Sequence, residues 1–171
     1  MPGSMRTRGP SRLRLAGFPA TLVAATVAGA LLLAAIGCKS LPAARIGPSV
    51  ALASARRLPL SYLHPARGFA TVRVDDKVAG VAVGRRESFI ADAKKRGLDA
   101  ASLARAFEVA SAVSSGTAAI PAAVMPARAD GDAAWLIVQA WGYKGKTTDK
   151  ARAWLIDAKT GDLLASVSGS P

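Results

Sequence analysis

The chain has 171 residues, 51% of them hydrophobic, and a formal net charge of +12 at pH 7. The length excludes more than one domain plus attachments, and the hydrophobic content excludes a disordered chain. The charge distribution argues against a nucleic-acid-binding domain. Residues 1–74 hold ten Lys/Arg and no acid, while residues 75–171 hold the other thirteen bases against all eleven acids. A folded nucleic-acid binder carries its excess on a folded face, so only the basic N-terminal arm is left to touch anions.

Arg6, Arg8, Arg12 and Arg14 form a positive start, and an uncharged run follows from Leu15 to Cys38. Its densest apolar stretch, Leu22 to Ile36, has the length of a signal-peptide core. Small residues come next, and then the chain's one cysteine: Ala34-Ala35-Ile36-Gly37-Cys38. This ending resembles the lipobox of bacterial lipoproteins. The resemblance implies that a dedicated signal peptidase cuts between Gly37 and Cys38 and that Cys38 carries the lipid. Ala35 departs from the Leu usual three residues before the cysteine.

Three readings of this leader compete. An uncleaved single-pass anchor needs about 20 apolar residues, and Pro19, Thr21, Thr26 and Gly29 dilute the run. A plain cleaved signal would leave a lone thiol in an oxidising compartment. Lipidation accounts for the single cysteine, its position and the small residue before it, and we prefer it. All three place residues 39–171 outside the cytoplasm, because four Arg precede the run and only Lys39 and Arg45 follow closely. Lys39, rather than Asp, follows the cysteine, which by the same resemblance implies the outer membrane, facing the periplasm, in a Gram-negative cell.

Residues 38–67 contain Pro42, Pro48, Pro59 and Pro65 and no acid. They read as a flexible basic tether, or alternatively with Val50 to Tyr62 packed on the domain as a short helix or edge segment. Residues 68–171 read as a small domain. Phe69 to Val74 alternates as a strand, Asp75-Asp76-Lys77 suits a turn, and Val78 to Val83 reads as a second strand. Arg86 to Arg96 reads as a helix stopped by Gly97, and Asp99 as the N-cap of another, which Ser114-Ser115-Gly116 ends. Residues 117–132 are a loop or edge strand. Ala133 to Tyr143 is a strand apolar on both faces, hence central. Ala151 to Ala158 is a strand, with helical spacing as the alternative. Asp162 to Val167 pairs with it through a turn at Gly161, in a hairpin with a bulge. The fold class is therefore α+β: an antiparallel sheet with one or two helices on one face. Trp135 to Val167 is similar to the terminal strands of several envelope lipoproteins, among them penicillin-binding-protein activators and secretion-pore accessory proteins.

No catalytic constellation emerges. Ala140 to Thr147 (AWGYKGKT) fits a relaxed phosphate-binding loop, but too little chain follows to complete a nucleotide-binding sheet, and a basic hairpin loop is the better reading. Its Lys144, Lys146 and Lys150, beside Trp141, are candidates for contact with an anionic partner or headgroup. Lys159-Thr160-Gly161 lacks the companion motifs of penicillin-recognising enzymes and reads as a turn. His64 is the sole histidine and a bystander in the tether, and no metal or cofactor site is expected. Trp135, Trp141 and Trp154 could line a glycan-binding face. Trp135 and Trp154 are better placed in the core, which leaves Trp141 as the surface candidate. The expected protein is thus a lipid-anchored, non-enzymatic envelope protein that binds another envelope protein or peptidoglycan. A small-ligand or glycan-binding module is the alternative.

Overall fold

A computed structural model describes residues 41–52, 54, 56–112 and 118–171. Gly37, Cys38 and the leader lie outside these, as does the helix stop expected at residues 114–116. The described chain is an α+β domain built on one five-stranded sheet: β1 (Val50–Leu52), β2 (Ala118–Ala129), β3 (Asp132–Gly142), β4 (Lys150–Asp157) and β5 (Leu163–Gly169). The strands lie side by side in chain order. β1 pairs parallel with the end of β2, and every other pair is antiparallel. Two helices, α1 (Val78–Lys95) and α2 (Ala100–Ala112), and a 3-10 segment (Leu60–Phe69) complete the fold.

β3 is the middle strand because it is apolar on both faces, and the fold buries both. Trp135 and Ile137, with Trp154 and Ile156 of β4, meet Phe89, Leu103 and Phe107 of the helices. Leu136, Val138 and Ala140, with Ala153 and Leu155, meet Leu63, Ala66 and Phe69 of the 3-10 segment. The period-2 alternation of a strand thus feeds two cores from one segment. β4 is a strand, as its short aromatic and branched run predicts. Its helical spacing is incidental.

The hairpins follow from local chemistry. Asp130 and Gly131 both take positive φ (53° and 93°), which makes the tight turn between β2 and β3. Gly161 (φ 81°) serves the β4–β5 turn, and a register shift between Leu155 and Ile156 supplies the expected bulge. In that turn Asp157 Oδ1 accepts from the backbone N–H of Lys159 and Thr160, both at 2.7 Å. Asp99 caps α2 as expected, accepting from Ala101 N (3.0 Å) and Ser102 N (2.9 Å).

Both carboxylates are held below the usual range, Asp99 chiefly by the Ser102 N–H and Asp157 chiefly by the Thr160 N–H. A depressed folded-state pKa contributes stability above the unfolded value, about 4 for Asp, and loses it as pH falls through the folded value. Asn caps without titrating. The D99N/D157N variant should therefore lose less of its unfolding midpoint between pH 5 and pH 3 than the native chain. Equal losses in a urea titration would contradict this.

Two expectations give way, and two open alternatives are decided. Val78 to Val83 is not a strand but the start of α1, whose buried residues Val78, Arg85, Phe89 and Ala93 share one helical stripe. The valines favour a strand locally, but packing against β2 overrides them. Phe69 to Val74 forms no strand: it makes one isolated bridge, Arg73 to Thr147. Of the two readings of residues 117–132 the strand holds: they contain the twelve-residue β2, with a register shift at Pro121 and an outer side mostly without a partner strand. For residues 38–67 the flexible tether gives way from residue 41 and the packed alternative holds, with an edge segment at Val50–Leu52 and a short helix from Leu60. Ile46, Leu58, Leu63 and Ala66 are buried, and β1 extends the sheet. Leu63, Ala66 and Phe69 recur every third residue, the period of a 3-10 helix, which is why an α-helical pattern was not visible there.

Most of β2 has no partner strand on its outer side, and α1 runs along that edge. Val78 and Val81 join the core beneath the 3-10 segment, while Phe89 and Ala93 join the core beneath α2. Arg85 takes the place of a neighbouring strand. Its Nε donates to Pro121 O (2.6 Å), and its two terminal nitrogens donate to Pro42 O (2.6 Å) and Ala122 O (3.4 Å). A covered, side-chain-paired edge is closed to another chain.

Candidate functional site

The sequence AWGYKGKT leads out of β3, through the loop 143–149, and into β4. Thr148 fixes the loop to the body of the domain. Its buried hydroxyl donates to Phe69 O and contacts Val72 O at 3.3 Å. The backbone adds Thr148 N to Val72 O (2.9 Å), Val74 N to Lys146 O (2.8 Å) and Gly145 N to Val74 O (2.8 Å). Residues 72–74 thus spend their hydrogen bonds on this loop rather than on a neighbouring hairpin strand. No helix follows Thr147, so the phosphate-loop geometry of strand, loop and helix start is not built.

On the side of the sheet that carries the helices, β3 and β4 change character toward this loop. The pairs Trp135 with Ile156 and Ile137 with Trp154 are apolar. The next two, Gln139 with Arg152 and Trp141 with Lys150, are polar and cationic. Gln139 Oε1 accepts from Arg152 Nε (3.0 Å) and Trp154 Nε1 (2.9 Å). The Arg152 guanidinium carbon lies 5.4 Å from the ring centres of both Trp141 and Trp154. Lys150 Nζ lies 4.9 Å from Trp141 and 4.8 Å from Tyr143. The result is a column in which cations alternate with aromatic rings: Tyr143, Lys150, Trp141, Arg152, Trp154. Trp141 and Tyr143 meet edge-on at 5.7 Å. Burial pulls the Arg152 pKa down from its ordinary value, but an arginine remains charged at physiological pH. The Trp141 Nε1 is buried and has no hydrogen-bond partner among the described residues.

The four residues expected to contact an anion or partner have different surroundings. Lys144 pairs with Asp76 at 2.9 Å, with both side chains in solvent. The Lys144 hydrogen bond and charge lower the Asp76 pKa, and Asp76 raises that of Lys144. Such an exposed pair adds little stability, but it does neutralise one lysine of the three. Lys146 projects from the loop with no ion pair or side-chain hydrogen bond among the described residues. Lys150 and half-buried Trp141 belong to the column. Arg73, Tyr143, Lys146, Thr147, Asp149 and Lys150 line an open groove of about 570 Å³ beside the loop.

An exposed tryptophan face does not form, because Trp135 and Trp154 are buried. Trp135 Nε1 donates to Ser102 Oγ of α2 at 2.8 Å, and Lys150 and Arg152 stand over Trp141. His64 is exposed on the 3-10 segment. Among the described residues no three metal-ligating side chains converge. No described helix is long and apolar enough to cross a membrane.

Sequence reasoning missed Gln139, Arg152 and Arg73. The signals were present: the chain's one glutamine interrupts its most apolar strand, and Arg152 alternates into phase with Trp154. Arg73 was hidden because the bridge that places it joins two loops.

Compared with protein-family models, curated proteins and solved structures, the chain matches none.

Proposed function

We propose that this chain is an exported protein held to a membrane of the cell envelope by lipid on Cys38, and that its domain is a non-enzymatic accessory or binding module for another envelope component. The observation that carries this reading is the leader: four arginines, an uncharged apolar run, and the single cysteine directly after Gly37. A lipid anchor needs two or more acyl chains, since each buried methylene adds only about 0.8 kcal/mol. Lys39 after the cysteine directs the reading to the outer membrane, facing the periplasm, where the cell has one.

The domain's chemistry supports binding rather than turnover. Its cations are spread over an open loop and stacked on rings; the carboxylates near them are Asp76, paired in solvent with Lys144, and Asp149 on the open groove, and among the described residues no histidine or nucleophile joins either to make a catalytic pair. Such a surface suits an anionic partner.

Intact mass of the mature protein, taken from its native membrane, tests the anchor. The expected species begins at Cys38 and is heavier than its polypeptide by the added acyl chains. Cys38→Ser is expected to abolish both processing and acylation. A mature chain that still begins at Met1, or one with an unmodified Cys38 sulfur, sinks the reading. Crosslinking in cells followed by purification tests the partner, which should be a membrane or wall component.

A further inference from the structure

We infer that the anchored domain is docked on its own membrane, resting on the end that carries the loop 143–149, with anionic lipid headgroups as the partner of Arg73 and Lys146. The inference rests on the lipidation reading above and deepens it. Its first observation is chain length. The described chain is packed on the domain from Leu41, only three residues after Cys38. Three residues span at most about 11 Å even when fully extended, so an acylated Cys38 keeps the entry point of the domain at the headgroups.

The second observation is where that entry point lies. Pro42 O accepts from Arg85, and Pro42 packs against Gly68, with its Cγ 3.2 Å from where a side chain on Gly68 would begin. The next residue, Phe69, holds the loop through its bond with Thr148. From Pro42 the chain then runs along β2 toward the opposite end, reaching Val124 O with the Gly47 N–H at 2.8 Å. Entry point and loop 143–149 therefore share one end of the domain. β3, eleven residues and about 35 Å long, separates them from the β2–β3 turn.

The third observation is the character of the two ends. The segments 70–77 and 143–150 carry five bases against three acids, whereas the segments 94–99, 128–132 and 157–162 carry equal numbers. Lys39 adds a further base before the entry point. Exposed large hydrophobic residues follow the same division. Tyr143 is in the loop, Leu60 packs toward Gly169 beside the start of β4, and Val83 is in the second turn of α1; among the described residues, only Leu163 lies at the far end. Basic residues with interspersed Tyr and aliphatic side chains suit the headgroup layer of an anionic bilayer. The Debye length at physiological salt is about 8 Å, so charges held this close feel the surface while those at the far end do not.

The test uses the mature acylated protein, reconstituted in vesicles of neutral phosphatidylcholine or of the same lipid with 30% phosphatidylglycerol. Amide exchange within residues 71–74 and 145–148 should slow about fivefold or more on the anionic vesicles. That difference should vanish at 0.5 M salt and in R73E/K146E, whose unfolding midpoint in detergent checks that the fold survives. K94E/K95E, at the far end, should leave it intact. Equal exchange on the two lipids, or a difference that R73E/K146E retains, overturns the docking. Intact mass of the same sample separates the two claims: an acylated chain indifferent to lipid charge loses only the docking, and an unacylated one loses both.

Discussion

Arg85→Ala should be among the most destabilising single changes in the domain, costing about 3–5 kcal/mol. Arg85 is buried, donates to three backbone carbonyls, and lies 4.7 Å from the ring centre of Phe69 and 5.6 Å from that of Phe89. Two opposed effects act. Burial disfavours the charge and pulls its pKa down, so removing it relieves a desolvation cost. Against this, truncation orphans Pro121 O and Ala122 O at the sheet edge, each worth about 1–3 kcal/mol when left unmet, and opens a cavity between two phenylalanines. The second effect should win, because these carbonyls have no strand beside them. Arg85→Met keeps the bulk of the stem and isolates the hydrogen-bond loss, at about 1.5–3 kcal/mol. Arg85→Lys should fall between Met and the native residue, since a single ammonium cannot reproduce the fork. Domains of this size have about 5–15 kcal/mol in total, so Arg85→Ala should move the urea midpoint far at unchanged slope. A Met variant within 0.5 kcal/mol of the native protein would mean that water satisfies the edge and that Arg85 is dispensable.

Gly142→Ala should cost about 3 kcal/mol or more and act on the loop first. A Cβ at Gly142 would penetrate the Thr147 carbonyl oxygen, and it would lie 3.0 Å from the Thr147 carbon and 3.2 Å from the Thr148 Cα. All three atoms are backbone, so no side chain can swing aside. Relief requires moving Thr147 and Thr148, and with them the bonds that tie the loop to Phe69, Val72 and Val74. Gly80→Ala is the control. Gly80 lies exposed inside α1 with nothing near its missing Cβ, so alanine there should stabilise by roughly 0.5–1 kcal/mol. Thermal unfolding reads both changes. In Gly142→Ala, amide exchange at residues 145–148 should quicken before global stability is exhausted. A near-neutral Gly142→Ala would show that the crossing of the loop is looser than described.

Much of the fold was legible in the sequence wherever one local rule acted without competition. The two-sided apolar run of β3 announces a central strand. Asp99 announces a cap, and Gly161 a turn with positive φ. Asp130-Gly131 has the composition of a tight hairpin turn, but residues 117–132 admit a loop or an edge strand in sequence, because Pro121 and Pro126 speak against a central strand. The structure shows why the prolines are tolerated: Pro121 sits at a register shift, and from Ala118 to Pro126 β2 is free of a partner strand on its outer side. At the candidate site, Trp141 and the three lysines could be picked out as neighbours along the chain. That Lys144 is neutralised by Asp76 could not.

Sequence alone determined the α+β class, the order of β3, β4 and β5, and the caps and turns. These depend on residues close together in the chain, where periodicity, φ preference and side-chain capping act directly. Tertiary structure alone decided that six valine-rich residues become helix and, between tether and packed segment, that residues 41–67 join the domain. It also decided that Arg85 closes a sheet edge and that Arg73, Gln139 and Arg152 gather around the loop. Each of these depends on atoms far apart in sequence. There the gain from burying apolar surface and pairing buried polar groups outweighs local propensities of less than about 1 kcal/mol per residue.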